Sequence, residues 1–491
     1  MRPVRTGHIL RWGAMVGCAT LICCVKARVG VAANPIEHYQ AVSSDYGLRL
    51  KSLADALAAR GDMEAACRVA EWRSPVPADQ RRYYFPPGLA FASEKSTKAA
   101  DGTKADERFR QLRTDYAAAL FELAKNAAGE KRISDAVAWT YETLREDPTH
   151  AGAARVLGLQ LVDGRYLSAF EAAKHRAGDV WHERFGWLPQ THLARYEAGE
   201  RYLQGKWVTS AEDARIHAAI ERGWVVDTEN FRVRTNHSLE EGARLAARLE
   251  KMHLVWRQLF ARYHTAEGEW TRRFAGGAMK TLSNRRYNVV YYRNRNEFVA
   301  ALERREAKIG LTSGIFMSDD DTAYFFADAE RSNDPFVFHE VTHQLFSLSK
   351  ATTLKVGERN NFWFVEGVAC YFESLVLHPE YGELGRLDNI RLKAARFRLL
   401  QDGFYIPLAE FTAFSRAQLQ SDPRIATLYS QAAGLAAFLL DGDEARYREA
   451  AVDYLHAIYG NRATPVTLAE LTGRSYPELD ADYRTWMTSL P

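Results

Sequence analysis

The segment Phe336-Val337-Phe338-His339-Glu340-Val341-Thr342-His343 carries two imidazoles four residues apart with a carboxylate between them. On a helix, residues at i and i+4 share a face, so His339 and His343 can aim ring nitrogens at one point. Zinc takes such nitrogens at about 2.0–2.1 Å in tetrahedral geometry. Glu340 follows His339 directly and so projects beside that point rather than onto it. From there it can accept a proton from a water whose pKa the metal lowers toward about 7. The chemistry within reach is metal-assisted hydrolysis. The apolar neighbours Phe336, Val337 and Phe338 suit a buried helix that keeps water out.

Two imidazoles alone hold a metal loosely, and a third ligand is available. The run Trp363-Phe364-Val365-Glu366-Gly367-Val368-Ala369-Cys370-Tyr371-Phe372-Glu373 places Glu366 23 residues after His343. A charge inside so apolar a stretch requires a partner. Taken together, the two segments resemble the gluzincin zinc metallopeptidases, whose second helix carries Trp-x-x-Glu-Gly-x-Ala-x-Tyr/Phe-x-Glu. The resemblance implies that Glu366 is the third zinc ligand and that Gly367 and Ala369 permit close helix packing. It also implies that Glu373 hydrogen-bonds a ligand histidine. Further on, Leu428-Tyr429-Ser430-Gln431-Ala432-Ala433-Gly434-Leu435 resembles the helix whose tyrosine steadies the oxyanion in related families, which makes Tyr429 the candidate donor. The aminopeptidases of this group capture the substrate amine with Gly-x-Met-Glu-Asn. Gly277-Ala278-Met279-Lys280 lacks the Glu and Asn, so an endopeptidase acting on peptide or protein is expected. The likeness covers roughly residues 228–491 and is nearest to predicted exported bacterial peptidases with a helical front region.

The elements that must position these residues read as α+β. Phe231 to Thr235 alternates like a half-buried strand, and Ser238 with Glu241 opens a helix running to about Tyr263. Asn288 to Tyr292 is a second strand, followed by a helix through Phe298 and Leu302. Gly314–Met317 and Thr322–Phe326 form a hairpin ahead of the metal helix, where an edge strand can pair with extended substrate. From there to Leu490 nearly everything reads as helix.

The front of the chain is helical from Pro35 to Arg73 and from Phe109 to Ala128, with a polar loop at residues 93–106. Ser134 to Gly158 resembles one junction of a tetratricopeptide array, an ordinary helical hairpin being the alternative. Gly164-Arg165-Tyr166-Leu167-Ser168 with Glu171 recurs 41 residues later as Gly205-Lys206-Trp207-Val208-Thr209 with Glu212. This reads as a duplicated turn-plus-helix module serving as a structural spacer, with binding of substrate or a cell-wall polymer as the alternative. The expected regions are a signal peptide at 1–33, a helical region at 34–130, a helical and turn repeat region at 131–225, and the metallopeptidase-like domain at 228–491.

Arg2, Arg5 and Arg11, then the apolar run Trp12–Val25, then Val31-Ala32-Ala33 follow the order of a secretory signal peptide. Export to the cell envelope or beyond is the expectation, with an uncleaved anchor as the alternative because Lys26 and Arg28 interrupt the cleavage region. Removing residues 1–33 leaves 60 basic against 62 acidic residues in place of the full chain's net +3. Neither balance favours nucleic acid or an anionic membrane. No later stretch is long enough for a membrane span. Of five cysteines, Cys67 and Cys370 remain. A disulfide between them is permitted outside the cytoplasm, but two buried thiols are the expectation. Two other functions stand beside peptide hydrolysis. One is a retired gluzincin fold serving as an extracytoplasmic binding or scaffold protein, the other zinc hydrolysis of a non-peptide bond.

Overall fold

In the computed structural model, the described residues are 35–72, 81–87, 104–266, 268–277, 285–328, 334–352, 355–460 and 466–490. The expected leader, most of the 93–106 loop and Ala278–Lys280 of the amine-capture comparison lie outside them.

Strands rich in β-branched and aromatic residues build the main sheet. Its spatial order is Gly314–Met317, Thr322–Phe326, Tyr287–Tyr292, Phe231–Thr235 and Trp224–Asp227. The three central strands are parallel, and each outer strand is antiparallel to its neighbour. Side chains alternate between faces, so register decides which residues meet which layer. Val289 lies opposite Val233 on one side and Ala323 on the other. Together with Phe231, Tyr291 and Phe325 they form one face, which packs with the helices Leu239–Leu259 and Asp334–Leu348. Tyr292, Tyr324 and Phe326 point the other way, into a cluster with Phe298 and Leu302 of the helix Arg295–Leu302. Thr322–Phe326 is therefore buried on both faces, and its sequence is unbroken by polar alternation.

Helices dominate the rest, and the architecture is α+β. Phe362–Phe372 packs against Ile425–Ala445, with Ile390–Leu400, Arg448–Tyr459 and Tyr476–Ser489 around them. Two strands interrupt the expected helical run. Val376–Leu377 pairs with Tyr381–Leu384, which on its other side pairs with Arg81–Tyr84, a strand from the front of the chain. Short strands whose partner is so distant leave no local pattern to read.

At the front, Pro35–Ala58, Met63–Glu71 and Lys104–Gly129 share one cluster, and Ile133–Glu146 and Ala151–Leu157 form the expected hairpin across Asp147-Pro148. Residue Asp106, the end of the expected loop, is already helical. The repeated module is richer than the sequence suggested. Gln160–Val162 pairs with Arg165–Leu167, Asp179–His182 with Gly186–Pro189, and Glu200–Leu203 with Lys206–Thr209. A short helix follows each hairpin, so there are three copies rather than two. Phe170, from the first copy's helix, contacts Trp187 of the second hairpin. His192 and Tyr196 of the second copy contact Trp207 of the third. His217 and Asp213 of the third meet Trp224, where the main sheet begins. Trp187 and Trp207 thus fasten the second and third hairpins to the copy before each.

Among the described residues no helix is long and apolar enough to cross a membrane. Cys67 and Cys370 are both free thiols. Cys370 is buried as expected, but Cys67 is exposed, because it falls on the outer side of the short amphipathic helix Met63–Glu71.

Candidate metal centre

The helix Asp334–Leu348 carries His339, Glu340 and His343 between the main sheet and the C-terminal helices. Its buried side, Val337, Phe338, Val341, Leu345 and Phe346, recurs at helical spacing and enters the principal core. Polar ties fix its position along the sheet. Gln344 Nε2 donates to the carbonyls of Asn288 and Asp321 at 2.8 and 3.1 Å. Tyr263 Oη donates to the Phe346 carbonyl at 2.8 Å.

The second helix, Phe362–Phe372, is buried along its whole length. Gly367 explains how it comes so close to Ile425–Ala445. A Cβ at that position would stand 2.6 Å from the Ala432 carbonyl oxygen. Only a residue without a side chain allows that approach, as the expected packing role of Gly367 requires.

This packing brings three donor atoms together. His339 Nε2 and His343 Nε2 lie 3.2 Å apart, and Glu366 Oε2 is 3.4 Å from the first and 3.7 Å from the second. Donors at the corners of a tetrahedron with bonds of about 2.0–2.1 Å are separated by about 3.3 Å. The triangle therefore matches the spacing that one tetrahedral ion demands, and two imidazoles with one carboxylate are a donor set suited to it. Three ligands leave the fourth corner for water or substrate.

Electrostatics agree with a cation-seeking site. Burial disfavours the Glu366 carboxylate, yet His343 and His339 outweigh that cost and hold its pKa well below the usual carboxylate range. Burial likewise disfavours the His339 imidazolium, but contacts with Cys370, Glu366 and Glu373 raise its pKa well above the ordinary histidine value.

A second layer surrounds His339. Its Nδ1 lies 2.9 Å from Glu373 Oε1, the contact expected of Glu373. Cys370 Sγ is 3.9 Å from the same nitrogen, and burial pushes that thiol up to about 11. His339, Cys370 and Glu373 thus form another group of potential ligands. Arg391 already donates from Nε to Glu373 Oε2 at 3.0 Å. A second cation there would face a guanidinium, so this layer reads as support for the first.

Glu340 stands outside the donor triangle. Its Oε2 accepts a hydrogen bond from the Phe316 amide at 2.9 Å, which ties it to the edge strand Gly314–Met317. Tyr429 lies one turn into Ile425–Ala445 and is half-buried. Burial and then the nearby Glu366 carboxylate push its phenol well above the ordinary tyrosine value. All five candidate residues therefore converge on one region. Sequence reasoning missed Arg391 and the Phe316 amide. The first is joined to Glu373 only by tertiary packing, and the second is a backbone group with no sequence signature.

No family model matches the chain, and no curated protein matches it.

Proposed function

We propose that this protein is an exported zinc metallopeptidase of the gluzincin type, most simply an endopeptidase. The observation that carries the reading is the donor triangle of His339, His343 and Glu366, with sides of 3.2, 3.4 and 3.7 Å. Zinc fits two imidazoles and a carboxylate, and a site with three protein ligands keeps one position open for chemistry. When bound, the zinc supplies Lewis-acid polarisation of the scissile carbonyl and an acidified water.

The chain's own residues supply the proton transfers and the alignment. Glu340 sits off the ligand face and takes the proton of the attacking water, then returns it to the departing amine. Its bond to the Phe316 amide holds the carboxylate in place. Tyr429 donates its phenolic hydrogen to the oxyanion that forms as the carbonyl becomes tetrahedral. Among the described residues the strand Gly314–Met317 ends its sheet, and its outer side can align an extended peptide by backbone pairing. Residues 1–33 support export by their basic, apolar, small-residue order. The tetratricopeptide likeness concerns only Ser134 to Gly158 and carries none of the proposed catalytic residues.

The test combines metal content with turnover on a diverse peptide library. His339→Ala is expected to lose zinc, whereas Glu340→Gln keeps it and loses about 10²–10⁴ in kcat. Zinc retained in full by His339→Ala rules out the metal assignment. Zinc bound by a wild-type protein that cleaves no peptide favours the retired scaffold or a non-peptide substrate.

A further inference from the structure

His339 can bind a metal through Nε2 only if that nitrogen carries the lone pair and the ring faces the ion. Both conditions are set at the other nitrogen, which must donate its hydrogen to a well-oriented acceptor. Glu373 is that acceptor, with Oε1 2.9 Å from Nδ1. It caps the C-terminal end of the helix Phe362–Phe372, where nothing in its own helix fixes the plane of the carboxylate.

Arg391 does so from another element. Its Nε donates to Glu373 Oε2 at 3.0 Å and its Nη2 leans on Oε1 at 3.4 Å, so the guanidinium grips both oxygens. A planar fork on a planar carboxylate defines orientation in a way a point charge does not. The base of Arg391 is itself held, because Asn389 caps the helix Ile390–Leu400 by accepting from the Arg391 amide at 2.8 Å. The side chains of Glu373 and Arg391 are 6% and 27% exposed, which shields the pair from competing water.

We propose that Arg391 is a positioning residue of the metal centre, acting through Glu373 to hold His339 in the ring orientation and tautomer that direct Nε2 at the metal. The inference rests on the metal reading of His339, His343 and Glu366. It adds a remote cation whose loss weakens metal binding although it touches neither the ion nor a ligand.

The experiment measures zinc affinity by competition with a chromophoric chelator, and thermal midpoints with and without zinc, on the full chain. Arg391→Met is expected to weaken zinc by about 10–100-fold, the range typical of lost outer partners of a ligand histidine. Arg391→Lys, which keeps the charge and loses the fork, falls between that variant and wild type. In a Glu373→Gln background, Arg391→Met adds little further loss, since its route of action is already cut. A purely structural arginine gives the opposite pattern, with both thermal midpoints lowered and zinc affinity unchanged, and that overturns the proposal. So does full additivity with Glu373→Gln. Should Arg391→Met not fold, the Lys variant decides, and wild-type affinity in it overturns the proposal. Wild-type protein that binds no zinc removes the metal reading itself, an outcome distinct from normal wild-type binding with indifferent Arg391 variants.

Discussion

Tyr429 shows how a single side chain can be tested apart from the candidate ligands it sits beside. Its phenol lies within electrostatic reach of Glu366 and belongs to a helix that carries none of the three donors. A neutral phenol aimed at the developing oxyanion lowers the barrier without binding the ground state more tightly. Tyr429→Phe is expected to lower kcat by about 10²–10³ while KM and zinc content stay close to wild type. A core role predicts instead a lower thermal midpoint with turnover intact, so measuring both on one preparation separates the cases. The donor triangle was legible in the sequence because its information is short-range. His339 and His343 need only helical spacing, and Glu366 announces itself as a lone charge in an apolar helix. Arg391 was not legible, because its link to Glu373 crosses from the end of one helix to the start of another. The backbone amide that holds Glu340 has no residue type to give it away.

At the scale of elements, the site depends on how closely two helices approach. Phe362–Phe372 presents Glu366, and its neighbour Gly367 lies against the Ala432 carbonyl of the helix that carries Tyr429. A methyl group there would meet backbone rather than a yielding side chain, so the helices must separate. Gly367→Ala is expected to cost about 1–3 kcal/mol of stability, typical of overpacking. It should also weaken zinc binding, since Glu366 moves with its helix. Unchanged midpoint and unchanged zinc affinity together would contradict this. The hairpin modules show what local pattern conceals. In the first and third copies the turns are Asp163-Gly164 and Gln204-Gly205, each with two positive-φ residues, a pairing that tight hairpins favour. The middle copy has a longer turn closed by Gly186, and Pro189 replaces the capping hydroxyl. Its kinship with the others emerges only once Trp181 and Trp187 are seen paired across the strands.

At the scale of the whole molecule, the front region is built into the unit that carries the candidate metal site. The strand Arg81–Tyr84 completes a sheet with Tyr381–Leu384, just beyond the Glu366 helix. Ser134 Oγ donates to the Leu259 carbonyl at 2.7 Å, and Glu449 accepts from the Ser134 amide at 2.9 Å. A further link is ionic. Arg448, 3% exposed, donates to Asp135 at 2.6 Å and approaches Asp441 at 3.4 Å. Asp441 also pairs with Arg81 at 2.7 Å and accepts from the hydroxyl of Tyr371, which lies on the Glu366 helix. Asp135, Arg448, Asp441 and Tyr371 thus run in sequence from the front hairpin to the helix that carries Glu366. Removing one member of a buried ionic set leaves its partners charged and unpaired, at a cost of about 3–5 kcal/mol. Arg448→Met in the full chain is therefore expected to lower the thermal midpoint, by less than that full cost, because Asp135 keeps Arg132 at 2.8 Å and Asp441 keeps Arg81 at 2.7 Å. A piece limited to residues 228–491 faces more. It lacks Asp135, the strand Arg81–Tyr84 and the sheet strand Trp224–Asp227, so buried Arg448 loses its closest carboxylate and two sheet edges lose their partner strands. We expect that piece to show no cooperative thermal transition and to bind zinc far more weakly than the full chain. A fragment that unfolds cooperatively and holds one zinc per chain at wild-type affinity would show that the front helices are an accessory after all.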